Sequence, residues 1–138
     1  MTKILETLGM DLEDESIKDT PMRVAKMYVN EIFSGLNPEN FPSITTFAMK
    51  EQSEVTQRNI PFTSMCEHHL MPFHGVADIT YTCKDRVLGL SKLNRIVDYF
   101  AKWPQVQERL NKQIMRALQI VLDTSDVMVR IEASHFCI

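Results

Sequence analysis

The sequence has no apolar run near the roughly 20 residues that would cross a bilayer. Its opening residues, Met1-Thr2-Lys3-Ile4-Leu5-Glu6, lack the basic stretch, apolar segment and small-residue cleavage site of a secretory signal. A cytoplasmic protein with no membrane partner is the expectation. Positive charge is not in excess either: 15 Lys and Arg against 18 Asp and Glu leave a net charge of −3. That disfavours a nucleic-acid partner and leaves any phosphate binding to local clusters of cations. Cysteine is scarce and odd in number. Cys66, Cys83 and Cys137 cannot all pair in one chain, and a reducing cytosol would keep them as thiols able to serve as metal ligands, nucleophiles or small apolar residues. Internal repeats and low-complexity tracts are missing. What remains, 44% hydrophobic and 24% charged residues over 138 positions, is the balance of a single domain with a real core over 1–138. The nine methionines read as core filling.

Periodicity supplies the elements. Thr20-Pro21 suits a helix start, with Thr20 as cap and Pro21 at the first helical position. Val24, Met27, Tyr28 and Ile32 follow at helical spacing, and Gly35 is placed to end the helix in a left-handed conformation. Residues 36–43 read as loop, and 54–63 as extended chain with imperfect alternation. Residues 75–82 alternate cleanly, and Lys84-Asp85 then predicts a hairpin to Arg86-Val87-Leu88. Ser91 is expected to cap a helix with Leu93, Ile96, Val97 and Phe100 on one face, broken at Trp103-Pro104. A longer helix over 105–122 carries Val106, Leu110, Ile114, Ala117 and Val121, and 126–134 returns to period two. The order argues an α+β fold, helices gathered on one face of an antiparallel sheet and preceded by an N-terminal helical part over 1–40.

The densest chemical signal is Cys66-Glu67-His68-His69, because a thiolate and an imidazole three positions apart can reach one zinc ion from a single turn. His135-Phe136-Cys137 offers a second soft ligand beyond a strand. Three ligands from two separated segments would leave a position open for water, the pattern of a catalytic zinc; a closed four-ligand site, or no metal, are the alternatives. Cys83 reads as a plain thiol and His74 as a strand-entry or surface residue. Lys92 and Arg95, three apart near a helix N-terminus, suit phosphate or a solvated face, and Arg23 with Lys26 repeats the choice. Glu108, beside Gln107 at the start of the long helix, suits either the macrodipole or a guanine edge.

Taken together, Asp19-Thr20-Pro21-Met22-Arg23, the block 64–69, Gly89 through Val97, the block 105–110 and His135-Phe136-Cys137 resemble the GTP cyclohydrolase I family in order and spacing. The resemblance implies a tunnelling fold and a zinc-dependent conversion of GTP to 7,8-dihydroneopterin triphosphate and formate. It implies Cys66, His69 and Cys137 as ligands of a zinc that activates water for attack at guanine C8. His68 and His135 would be the proton-transfer pair and Ser91 the hydroxyl assisting the ribose rearrangement. Gln107 and Glu108 would bind guanine, Lys92 and Arg95 the triphosphate, and Arg23 would join them from a neighbouring subunit. A homo-oligomer, commonly a decamer of two pentamers with sites shared between subunits, is implied too. The family pattern continues past its His-x-Cys block with a Lys/Arg-Gly motif and a final strand. A phosphate-binding Arg and one sheet strand are therefore expected to be missing from these residues. That leaves a second possibility, an impaired homologue that binds zinc or guanine nucleotide and co-assembles with longer subunits.

Overall fold

The computed structural model describes residues 1–137. In chain order the elements are α1 (Thr2–Thr7), α2 (Thr20–Met27), β1 (Thr46–Ala48), β2 (Ser53–Cys66), β3 (Pro72–Cys83), β4 (Arg86–Leu88), α3 (Leu90–Ala101), β5 (Pro104–Gln105), α4 (Gln107–Leu122) and β6 (Val127–His135). A π-helical turn over Tyr28–Ile32 and two 3₁₀ turns over Ser34–Leu36 and Pro38–Asn40 follow α2.

The two longest strands, β2 and β3, pair antiparallel, with Ser53 opposite Cys83 and Met65 opposite Pro72. β6 takes the other edge of β3, placing Phe73 opposite His135, and β5 lies parallel to the end of β2, Cys66 opposite Gln105. The sheet order is therefore β5-β2-β3-β6. Strand alternation then decides the core: Phe73, Ala77, Ile79 and Tyr81 of β3 are buried. They share one cluster with Leu93, Ile96 and Val97 of α3 and Leu110, Ile114 and Leu118 of α4. α3 packs on β2 and α4 on β6, giving the expected α+β arrangement of the tunnelling fold. The irregular alternation of 54–63 has a physical origin. A bulge falls between Gln57 and Ile60, with Asn59 left-handed at φ 56° and its N–H donated to the Asp78 carboxylate at 2.8 Å.

Several expectations are corrected. Lys84-Asp85 does turn the chain, but β4 pairs with β1 rather than with β3, because both edges of β3 are already taken by β2 and β6. Leu88 instead donates its N–H to the Tyr81 hydroxyl at 3.1 Å. Gly35 is not left-handed; among the described residues Gly9 alone is a glycine with positive φ. Gly35 is needed for close approach, since a Cβ there would lie 2.2 Å from the Tyr99 carbonyl oxygen. Neither Thr20 nor Ser91 is a cap: the capping positions fall to Asp19 and Gly89, and both hydroxyl residues lie inside the first helical turn. The long helix starts at Gln107, because Gln105 is drawn into the sheet beside Cys66. The methionines do not fill the core. None is buried, and branched aliphatic and aromatic side chains occupy the interior instead. No helix among the described residues is long and apolar enough to cross a membrane.

Candidate active site at the cysteine end of the sheet

β2 ends at Cys66, where the chain turns tightly into β3. The Cys66 N–H donates to the Met71 carbonyl at 2.8 Å and the Cys66 carbonyl accepts from Leu70 N–H at 2.8 Å, with Leu70 left-handed at φ 52°. The turn displays His68 and His69 as exposed side chains while the Cys66 thiol stays buried and lies 3.7 Å from His68 Nδ1. Cys137, just beyond β6, reaches the same sulfur. The backbone N–H of His68 holds the Cys66 thiol below its ordinary range, against the opposing effect of burial, and the Cys137 thiol assists. Donating that hydrogen bond, together with burial, pushes Cys137 up. No disulfide links them.

Two sulfurs from segments far apart in sequence are soft donors of the kind zinc prefers. Among the described residues no three His, Cys, Asp or Glu side chains stand together at metal-ligating distance. The sulfurs meet, and the His69 imidazole, on the adjoining turn, is not with them. As a donor set the trio nonetheless fits a metal, since the absent partner is an exposed ring three residues from Cys66.

The first turn of α4 closes the other side. Gln107 donates its amide N–H to the Ile131 carbonyl at 3.1 Å, which leaves its oxygen to accept from His135 Nε2 at 2.9 Å. The His135 ring stacks on Phe73 with centroids 4.7 Å apart and planes 6° from parallel. Glu108 is exposed beside it, in a turn where the free amides favour a carboxylate. Arg109 makes a two-pronged pair with Glu67, Nη1 to Oε2 at 2.6 Å and Nη2 to Oε1 at 2.7 Å, and also donates to the Pro104 carbonyl at 3.3 Å. The guanidinium holds the Glu67 carboxyl below the usual carboxylate range. Spacing does not single out Glu67 or Arg109, because their partnership spans two elements.

Ser91, Lys92 and Arg95 do not join this group within one chain. The C-terminal end of α3 lies beside the cysteine end of β2, where Ser64 Oγ donates to the Ala101 carbonyl at 2.6 Å. Its N-terminal half runs the other way, Asn94 accepting from Gln57 Nε2 at 2.6 Å. At about 1.5 Å per residue, Ser91 stands on the order of 15 Å along the helix from Ala101. Lys92 donates to Ser43 Oγ at 3.2 Å, and Arg95 lines a cavity of about 460 Å³ with Asp98, Tyr99 and Lys102. Arg23 bonds within its own segment, to the Ser16 carbonyl and Thr20 Oγ1, each at 2.8 Å. Cys83 is a buried thiol donating to the Ser53 carbonyl at 3.1 Å, and His74 is exposed on β3, edge-on to Phe136.

Fold and site define an α+β protein in which thiol, imidazole, amide and carboxylate groups from three remote segments gather around one sheet terminus. A sequence profile described as GTP cyclohydrolase I matches residues 1–138. Proteins named GTP cyclohydrolase 1 from Erwinia tasmaniensis and Yersinia enterocolitica are each 54% identical, and one from Aeromonas salmonicida 52%, over 140 aligned residues covering 100% of this chain. The chain belongs to the GTP cyclohydrolase I family. It spans 63–64% of the length of these relatives.

Proposed function

We propose that the chain forms part of a zinc-dependent GTP cyclohydrolase that converts GTP and water to 7,8-dihydroneopterin triphosphate and formate. The observation that carries this reading is the meeting of the Cys66 and Cys137 sulfurs beside the His135–Gln107 pair. Cys66, Cys137 and His69 would hold the metal. When bound, zinc supplies Lewis-acid activation of water for opening the imidazole ring. His68, exposed on the same turn, would carry protons to and from the guanine imidazole, the general acid–base work a positioned imidazole can do. His135, held by Phe73 and Gln107, would be its partner. Glu108 would accept from the guanine N1 and N2 donors, with Gln107 beside it.

The triphosphate cations and Ser91 lie along α3 away from these groups, so a single chain would present half of a site. Ser91, Lys92 and Arg95 of one subunit would meet the cysteine end of another, with Arg23 supplied from a neighbour as well, which fits a homo-oligomer with shared sites. The direct test is incubation of the zinc-loaded protein with GTP, followed by assay of formate and of the fluorescent oxidised pterin. Both products are expected, and chelation should abolish them while the far-ultraviolet dichroism persists. Mixing a Cys66→Ala protein with a Lys92→Ala protein, each inactive alone, should restore turnover. Absence of both products from the zinc-loaded wild type would overturn the proposal.

A further inference from the structure

The Glu67–Arg109 pair has no role in the chemistry proposed above, yet it joins two of the segments that chemistry uses, the Cys66–His69 turn and the first turn of α4. Glu67 is flanked by Cys66 on one side and by His68 and His69 on the other. Its backbone N–H donates to the Gln105 carbonyl at 3.0 Å, and both oxygens of its carboxylate are engaged by Arg109. Arg109 belongs to the same helical turn as Gln107, which touches His135, and as Glu108. Its third bond, to Pro104, ties that turn to β5. Gln105 is itself fully buried, its amide donating to the Phe100 carbonyl at 2.9 Å and to Gln113 Oε1 at 2.7 Å, so the anchor for Glu67 is rigid.

A bidentate guanidinium–carboxylate contact fixes direction as well as distance, which a single point charge does not. We propose that Glu67 and Arg109 are positioning residues. Their fork sets the placement of the Cys66–His69 turn relative to the first turn of α4, and so aligns the metal ligands with the base-binding carboxylate. This rests on the functional reading above and adds to it a pair outside the ligand and substrate contacts.

The test uses purified protein reconstituted with cobalt(II) in place of zinc, comparing wild type with Arg109→Lys and Glu67→Gln. The lysine keeps the charge and loses the fork; the glutamine keeps the side-chain size and loses the charge. In both variants the thiolate-to-cobalt absorption band should persist, since the sulfurs are untouched, while the d–d bands shift as the His69 turn moves. For GTP turnover, kcat should fall roughly 10- to 100-fold, the scale expected of about 1 Å of misplacement, and KM should rise several-fold. The double variant should be no worse than the poorer single one, because both remove the same contact. If only the thermal midpoint falls, with cobalt spectrum and kcat unchanged, the pair is merely structural and the proposal is overturned. Variants indistinguishable from wild type overturn it too. Should Arg109→Lys fail to fold, Glu67→Gln decides alone. A wild type that neither takes cobalt nor consumes GTP defeats the functional reading and this one with it, an outcome distinct from normal variants of an active protein.

Discussion

The chain contains two regions with similar helical patterning and opposite fates. Over 53–137 the apolar stripes of α3 and α4 meet the inner face of a four-stranded sheet, and the result is a continuous buried cluster. Over 1–40 the pattern of Val24, Met27, Tyr28 and Ile32 is just as regular, yet α2 and the π-helical turn bury no residue at all. Met22 is 61% exposed and Val29 70%. Amphipathic spacing therefore states that a face is to be covered, without stating by what. In the first region the cover is this chain's own sheet. In the second the cover is partial among the described residues, with Val24, Tyr28 and Ile32 half-buried, and the candidate site divides the same way: Cys66, Cys137, His135 and Gln107 converge on the body, while the bonds Arg23 makes among the described residues stay on its own arm.

The contrast sharpens most at the centre of the body. Ile114, fully buried between α4 and the sheet, should cost about 2–5 kcal/mol on replacement by alanine, through lost burial and the cavity left behind. Denaturant unfolding monitored by dichroism measures it. Gly75→Ala comes next, at about 3 kcal/mol, the upper part of the range for overpacking. A Cβ at that position would lie 1.9 Å from the Glu132 carbonyl oxygen, so β6 must move away from β3. Because Cys137 follows β6, this variant should also weaken the proposed zinc binding, read by competition with a chromogenic chelator. An unchanged affinity would mean that the cysteine pairing does not depend on strand register.

What could be read directly from the residues divides along the same line. The stripes of α3 and α4 and the alternation of β6 were legible because the face each buries against lies within this chain. Cys66 and Cys137, whose sulfurs come together, could be named by residue type, whereas His69, named with them by spacing, does not join them among the described residues. The β4 partner could not, since alternation says that a strand exists and not which edge is vacant. Leu118, fully buried, was missed because Ala117 fits the same helical spacing. The Glu67–Arg109 fork and the Gln107–His135 contact were invisible for a similar reason. Each joins side chains from different elements, so it depends on tertiary register that no local pattern carries. The direction of α3, which separates Ser91 and Lys92 from the cysteine end, also emerges only once Ser64 is seen to bond to Ala101 and Gln57 to Asn94.

A smaller effect tests the body through pH. Burial pushes the Tyr81 phenol above its ordinary pKa of 10.0, with the Leu88 N–H donating to its oxygen acting in the opposite sense. The unfolded chain then releases this proton at lower pH than the folded one, so the unfolded state binds fewer protons in alkaline solution. The associated stability is complete below about pH 10 and declines as pH rises toward the folded value. Tyr81→Phe should cost about 1–3 kcal/mol at neutral pH by leaving the Leu88 donor unpaired. Above pH 10 its stability should fall less steeply than that of the wild type. Parallel alkaline limbs in the two proteins would place the titrating group elsewhere.

The smallest expected effect bears hardest on the comparison. Val29 lies on the arm with most of its surface exposed, and a polar replacement there removes no buried contact within the described residues. Val29→Ser should change unfolding stability by no more than about 0.5 kcal/mol in dilute protein, as surface substitutions do. If the arm's open face is covered by another subunit, the same substitution becomes costly only when the oligomer forms. Its effect should then grow with protein concentration, because association stabilises the folded state by mass action. Unfolding curves for wild type and variant across a hundredfold range of concentration separate the cases. A loss above 2 kcal/mol that is already complete in dilute solution would mean that the arm is packed as tightly as the body, and the division between the two regions would fail.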